Sequence, residues 1–320
     1  MESETQWEAR KVVVVGAGSV GATFAYSLAQ SGLAEEIALV DLNSELVKGQ
    51  VLDLAQGQPF FPPVRIHEGQ VEDYADADVV VITAGAAQRP GETRLDLLQK
   101  NAAIVESIVD DITGQGSQAV IVMVTNPVDV LTYVAHRRSG WPKGRVLGSG
   151  TVLDSARFRH LLGQHCGIDV HNVHAYVLGE HGDSEFAAWS MAHLAGMTID
   201  AYCPICGKCG DWAGERQQIE EAVRNSAYHI IDYKGSTYFA VGMALVRIVG
   251  AILRDQHSVL TVSTVLEGEY GLRDVCLSVP CIVGREGVIR IAEGPLPPEE
   301  LASLERSAGI LQEAIAQLAG

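Results

Sequence analysis

Apolar residues in the first half of the chain gather in short β-branched runs at 12–15, 37–40, 79–82 and 120–124. Each run is bounded by glycine, proline or aspartate, which predicts parallel strands buried on both faces. Between the runs, 20–31, 46–55 and 95–112 carry helical periodicity. Strand and helix in alternation predict an α/β fold built on a doubly wound parallel sheet. Leu147-Gly148-Ser149-Gly150 marks a boundary. The second half is less regular. It predicts helices over 154–166, 215–233, 238–254 and 298–318, and a strand over 173–178. Antiparallel strands are expected over 258–266, 275–283 and 288–291. The expected organisation is a sheet domain over 11–150 and an α+β domain over 151–320.

The 320 residues, 47% of them hydrophobic, suffice for two domains with large cores. The net charge of -17 argues against nucleic acid and anionic membranes as partners. Residues 1–10 are polar and acidic, so a disordered tail is expected there, with no signal peptide. The apolar run 241–253 contains Arg247 and two glycines and reads as a buried helix, with no membrane span elsewhere. Six cysteines without a secretion signal imply reduced thiols and a cytoplasmic location.

Candidate chemistry begins at Gly16-Ala17-Gly18-Ser19-Val20-Gly21, which follows the first strand and opens the first helix. Its glycines allow a tight turn and close approach of a pyrophosphate, which the helix N-terminus then faces. Asp41 ends the second strand, where a carboxylate accepts from ribose hydroxyls and repels a 2′-phosphate. The pattern is that of a Rossmann domain binding NAD in preference to NADP.

Asp154 and Arg157, three apart on a predicted helix, share a face. Gly179-Glu180-His181-Gly182-Asp183-Ser184 sets a histidine between two glycines. A histidine exchanges protons near neutrality, better so when a carboxylate holds its ring. An arginine grips a carboxylate bidentately. Taken singly, these residues fit an ordinary loop histidine and a surface ion pair equally well.

In combination the motifs resemble the L-lactate/L-malate dehydrogenase family, its bacterial lactate branch above all. The segments that match, in order, are Gly16–Gly21, Asp41, Gln88–Asp96, Thr125-Asn126-Pro127-Val128-Asp129, Asp154–Arg157 and Gly179–Ser184. The resemblance runs from about Lys11 to the last helix. It implies reversible hydride transfer between NADH and pyruvate, giving L-lactate. His181 would donate the proton, Asp154 orient His181, Arg157 bind the substrate carboxylate, and Arg94 polarise the keto oxygen when its loop closes. Asn126 and Thr237 would lie beside the substrate and Val241 against the nicotinamide. The expected cofactor contacts are Gly16, Gly18, Val20, Gly21, Asp41, Gly85, Ala86, Val124, Ser149 and Val241.

Malate differs from lactate by a second carboxylate, which malate dehydrogenases meet with an arginine at the position of Gln88. A carboxylate sealed in a dry site without a partner costs several kcal/mol, roughly a thousandfold in selectivity. Gln88 therefore favours pyruvate, and L-malate or another 2-hydroxy acid is the alternative. Arg89 is adjacent, and Pro90-Gly91-Glu92-Thr93-Arg94 sets the register by resemblance. A non-catalytic NAD-binding protein would need none of His181, Asp154, Arg157 and Arg94.

Arg159 and His174 match the pair that binds fructose 1,6-bisphosphate at a subunit interface of bacterial lactate dehydrogenase tetramers. Animal members carry the same pair without this activation, so activation and its absence both stand. Cys203-Pro204-Ile205-Cys206-Gly207-Lys208-Cys209 has a spacing that suits zinc or an iron–sulfur cluster. The family's chemistry needs no metal and no fourth cysteine is near in sequence. The expectation is reduced thiols on a surface loop and no metal.

Overall fold

Valine fills four of the five places in the strand that begins the sheet, and all five places are buried. The computed structural model describes residues 10–87, 91–208 and 210–318. Residues 1–9 of the tail expected over 1–10, Gln88 with Arg89, and Cys209 lie outside them.

The first half alternates as its periodicity predicts. β1 (Lys11–Val15) leads through α1 (Ser19–Ser31) to β2 (Glu36–Val40), and α2 (Ser44–Gln56) leads to β3 (Arg65–Glu68). β4 (Val79–Ile82), α3 (Arg94–Gly114), β5 (Val120–Met123), α4 (Val128–Ser139) and β6 (Val146–Gly148) continue the pattern. These six strands pair in parallel.

The second half runs through α5 (Val152–Cys166), β7 (Val173–Leu178), β8 (Phe186–Leu194), β9 (Met197–Thr198) and α6 (Ile199–Cys206). The long helices α7 (Trp212–Lys234) and α8 (Phe239–Leu253) follow. β10 (Ser258–Leu260), β11 (Ser263–Glu267), β12 (Arg273–Ser278), β13 (Cys281–Gly284), β14 (Gly287–Ile291) and α9 (Pro298–Ala316) complete the chain. Among the described residues no helix is long and apolar enough to cross a membrane.

The sheet order is β12-β11-β6-β5-β4-β1-β2-β3. Two strands of the second half thus extend the sheet of the first, β11 joining β6 antiparallel through Ser263 and Gly148. This corrects the strands expected over 258–266 and 275–283. Each is two strands that change sheets part-way, since β10, β13 and β14 form a separate three-stranded sheet. The first break falls at Thr261, whose carbonyl leaves the ladder to accept Thr151 N–H. The second falls at Pro280, which has no N–H to give a ladder.

A second apolar cluster around Phe158, Leu162, Val173, Ala192 and Val223 binds α5, α7, β7 and β8 together. A further correction concerns the cysteines. Cys203 and Cys206 lie on α6, not on a loop, and Cys203 is buried. Pro204 sits inside that helix.

Candidate active site

The strand order reverses beside β1, which has β4 on one side and β2 on the other. Ligands of open α/β sheets bind outside the carboxyl ends of the strands at such a point. The candidate cofactor residues gather there. Gly16, Gly18, Val20 and Gly21 follow β1, Asp41 follows β2, Gly85 and Ala86 follow β4, Val124 follows β5, and Ser149 follows β6.

The three motif glycines do different work. Gly16 has φ +104°, a conformation that side chains rarely adopt. A Cβ on Gly21 would lie 1.8 Å from the carbonyl oxygen of Gly16. Nothing lies within 4 Å of a Cβ on Gly18. Gly16 and Gly21 therefore serve the turn and its packing, while the space at Gly18 opens away from the protein. Asp41 Oδ2 accepts Ala17 N–H at 2.8 Å, which fixes the turn and holds the carboxylate at its mouth. A dinucleotide fits these features; Gly18 would admit its pyrophosphate and Asp41 would hold its ribose.

Asp154 lies in the first turn of α5, where the helix dipole favours an anion. Its Oδ2 meets His181 Nδ1 at 2.7 Å, and its Oδ1 accepts from Arg157 Nη1 at 2.7 Å. The histidine stands on the loop between β7 and β8. That loop is tied to β12 by the reciprocal backbone bonds of Gly179 and Ser278, each 3.0 Å. Burial works against charge on His181, but the Asp154 carboxylate outweighs it and the imidazole is pushed up to about 9. Burial likewise opposes charge on Asp154, but His181 and then Arg157 hold it below the usual carboxylate range. The pair is built to carry a proton on the imidazole at neutral pH.

A cavity of about 520 Å³ opens in front of this pair. Arg94, Asn126, Arg157, His181 and Glu185 line it. Arg94 is the first residue of α3, whose N-cap Thr93 and Asp96 form a capping box. A helix dipole disfavours a cation in the first turn, so the capping box stabilises the start of α3 against Arg94, not through it. Asn101, buried in α3, donates to the Asn126 carbonyl at 3.3 Å and accepts from Ala86 N–H at 2.8 Å. It thereby locks the loops after β4 and β5 together.

Not every candidate comes to this cavity. Thr237, two residues before α8, and Val241, in its first turn, are not among its lining residues. Arg159 and His174 lie elsewhere, where Arg159 Nε donates to the carbonyl of Val173 at 2.8 Å, the residue before the exposed His174.

Comparison with known proteins agrees with this geometry. The sequence pattern of the lactate/malate dehydrogenase NAD binding domain matches residues 10–148. That of the family's alpha/beta C-terminal domain matches residues 151–319. The chain belongs to the lactate/malate dehydrogenase family. It is 60% identical to the L-lactate dehydrogenase of Treponema denticola, over 97% of this chain and 98% of that one. Identity to the L-lactate dehydrogenase of Thermoanaerobacterium saccharolyticum is 52%, over 96% and 99% of the two chains. The crystal structure of a lactate dehydrogenase from a Medee basin deep-sea metagenome library superposes with a TM-score of 0.95 at 40% identity, covering 98% of this chain and 100% of that one. The ligand-bound minor L-lactate dehydrogenase of Enterococcus mundtii gives 0.94 at 40% identity, with 98% and 99% coverage.

The site also holds residues that no sequence motif marks with a role. Asp129 is buried and accepts His181 N–H on Oδ2 at 2.7 Å. Burial pushes its carboxyl up to about 6. It stood in the matched Thr125–Asp129 motif without a role of its own. Glu185, one residue before β8, and Arg224 on α7 line the cavity. No sequence signal marks either, because contact with the site arises only when those elements pack. At the rim, Tyr228 OH donates to Asp183 at 2.7 Å.

Proposed function

We propose that the protein is an NAD-dependent L-lactate dehydrogenase that interconverts pyruvate and L-lactate. The observation that carries this is the Asp154 carboxylate, bound at once to His181 Nδ1 and Arg157 Nη1 at the wall of one cavity. NADH, when bound, supplies the hydride to the keto carbon. Asp154 occupies Nδ1, so Nε2 is the nitrogen that gives its proton to the substrate oxygen and recovers it in reverse. Arg157 grips the substrate carboxylate with the donors that Asp154 leaves free. Arg94 places positive charge where the keto oxygen becomes negative. Gln88, as a neutral side chain, selects pyruvate over oxaloacetate.

A diacid substrate is the second reading. Arg224, a third guanidinium on the cavity wall beside Arg94 and Arg157, favours it. Its Nη2 is engaged by the Glu185 carbonyl at 3.4 Å, which supports pyruvate instead. NADH oxidation with each acid decides between them. A kcat/KM for pyruvate at least about a hundredfold above that for oxaloacetate is expected, and equal or reversed preference overturns the proposal. Gln88→Arg moves the preference toward oxaloacetate.

The assembly we propose is a cytoplasmic homotetramer activated by fructose 1,6-bisphosphate. Arg159, tied to the carbonyl of the residue before the exposed His174, supports it, since both basic groups could serve one bisphosphate between subunits. A pyruvate saturation curve unchanged by the bisphosphate removes the activation. Light scattering tests the tetramer.

A further inference from the structure

Glu185 has no task in the scheme above. It stands one residue before β8 and is 6% exposed. Its backbone is pinned on both sides. Its N–H donates to the Gly182 carbonyl at 3.2 Å, and its own carbonyl accepts from Arg224 Nη2 at 3.4 Å. Glu185 forms part of the cavity wall. One of its carboxylate oxygens, one of Asp154 and a ring nitrogen of His181 all lie within 4.8 Å of one another.

Two carboxylates and one imidazole at that separation cannot titrate independently. Burial and the Asp154 charge push Glu185 up to about 8, against the pull of His181, Arg157 and Arg224. Burial lowers His181, and Asp154, Asp129 and Glu185 raise it, to about 9. The two groups therefore change charge in neighbouring pH ranges while each feels the other.

We propose that Glu185 is a second acidic partner of His181, a positioning residue whose charge sets from the cavity wall how firmly the imidazole keeps its proton. This rests on His181 as the proton carrier. Asp154 fixes the ring by a hydrogen bond, whereas Glu185 acts through space. Once ionised, Glu185 retains the imidazolium over a further span of pH. The other charged groups facing the pair are Arg157 on α5, Asp129 on α4, Glu220 and Arg224 on α7, and Arg94 on α3 across the cavity. Glu180 and Asp183 belong to the histidine loop itself. All remain in the isosteric variant Glu185→Gln, so the difference between the two proteins isolates Glu185.

The test is the pH dependence of kcat/KM for the whole protein in both directions, with and without Glu185→Gln. Pyruvate reduction needs the imidazolium and falls at alkaline pH. Lactate oxidation needs the neutral ring and falls at acid pH. Loss of the Glu185 charge makes the imidazolium less stable, so both limbs move to lower pH, by about half a unit to one unit. Limbs that stay in place, with the curves merely scaled down as structural damage would scale them, overturn the proposal. Limbs that move to higher pH also overturn it, because the Glu185 charge would then act by repelling substrate. His181→Asn is the parallel control. If it keeps turnover, the reading of His181 itself fails, whatever Glu185→Gln shows. If Glu185→Gln does not fold, the ring-proton NMR titration of His181 in the unaltered protein decides, with His181→Asn identifying the signal. Two inflections are expected, and a single one overturns the proposal.

Discussion

The carboxylate of Asp129 takes the backbone N–H of His181 at 2.7 Å. One helix of the NAD-binding domain thus fixes the main chain of His181, the proposed proton carrier, in the other half. Asp129→Ala strips that N–H of its acceptor in a buried place, a cost of about 1–3 kcal/mol. The expected outcome is a fall in kcat/KM of about tenfold or more, with Asp129→Asn falling less because its amide oxygen still accepts. Steady-state kinetics of the two variants check the order.

Asp154→Asn tests the ion pair. Asp154 raises His181 to about 9, so in the unaltered protein the imidazolium persists below that pH and is lost as pH rises through it. Without the carboxylate, burial pulls the imidazole down against Asp129 and Glu185 alone. The alkaline limb of pyruvate reduction then moves to lower pH. kcat/KM at neutral pH falls by roughly a thousandfold. The pH–rate profile reads both.

Two glycines of one motif should behave oppositely. Gly18 has φ -70° and open space around a Cβ. Gly18→Ala should keep its Tm and bind NADH more weakly, the methyl group occupying the place of the pyrophosphate. Gly21→Ala meets the Gly16 carbonyl and should lose about 3 kcal/mol of stability or more. Thermal unfolding and NADH fluorescence titration separate the two effects.

Lys11 is 5% exposed, with its Nζ 2.8 Å from Asp73, 2.6 Å from Asp76 and 3.4 Å from Glu36. Burial opposes its charge, and the bonds to Asp73 and Asp76 more than offset it, so its pKa is raised. Lys11→Met leaves three carboxylates facing one another, a loss of about 3 kcal/mol. Burial opposes charge on Asp73 too, but Lys11 holds its pKa low, so its contribution is present above the unfolded carboxylate pKa and fades as pH falls through the lowered one. The deficit of the variant should therefore be full at pH 7 and shrink in acid. Denaturant unfolding at both pH values tests this.

Much of this was legible in the chain. The β-branched runs at 12–15 and 79–82 had no soluble alternative to burial, and three residues between Asp154 and Arg157 put them on one helix face. Arg65–Glu68 was missed because only Ile66 in it is buried, so the strand shows no apolar run. The change of sheet at Thr261 was invisible for another reason. Residues 258–266 look like one strand by periodicity, and only their partners differ. Asp129 and Glu185 carry no local signature, since a single acid in a chain with 40 acids stands out only by what folds around it.

The pairing of β11 with β6 bears on how the molecule can be taken apart. Cut after residue 148, the first half would keep its glycine turn and the five parallel pairings among its six strands, yet β6 would become an uncovered edge on the side that β11 now takes. Such a rim recruits other chains. A fragment of this kind should precipitate or self-associate, and adding residues 151–319 as a separate piece should rescue its solubility. The second half would then act as a cap for the first, long before any substrate arrives.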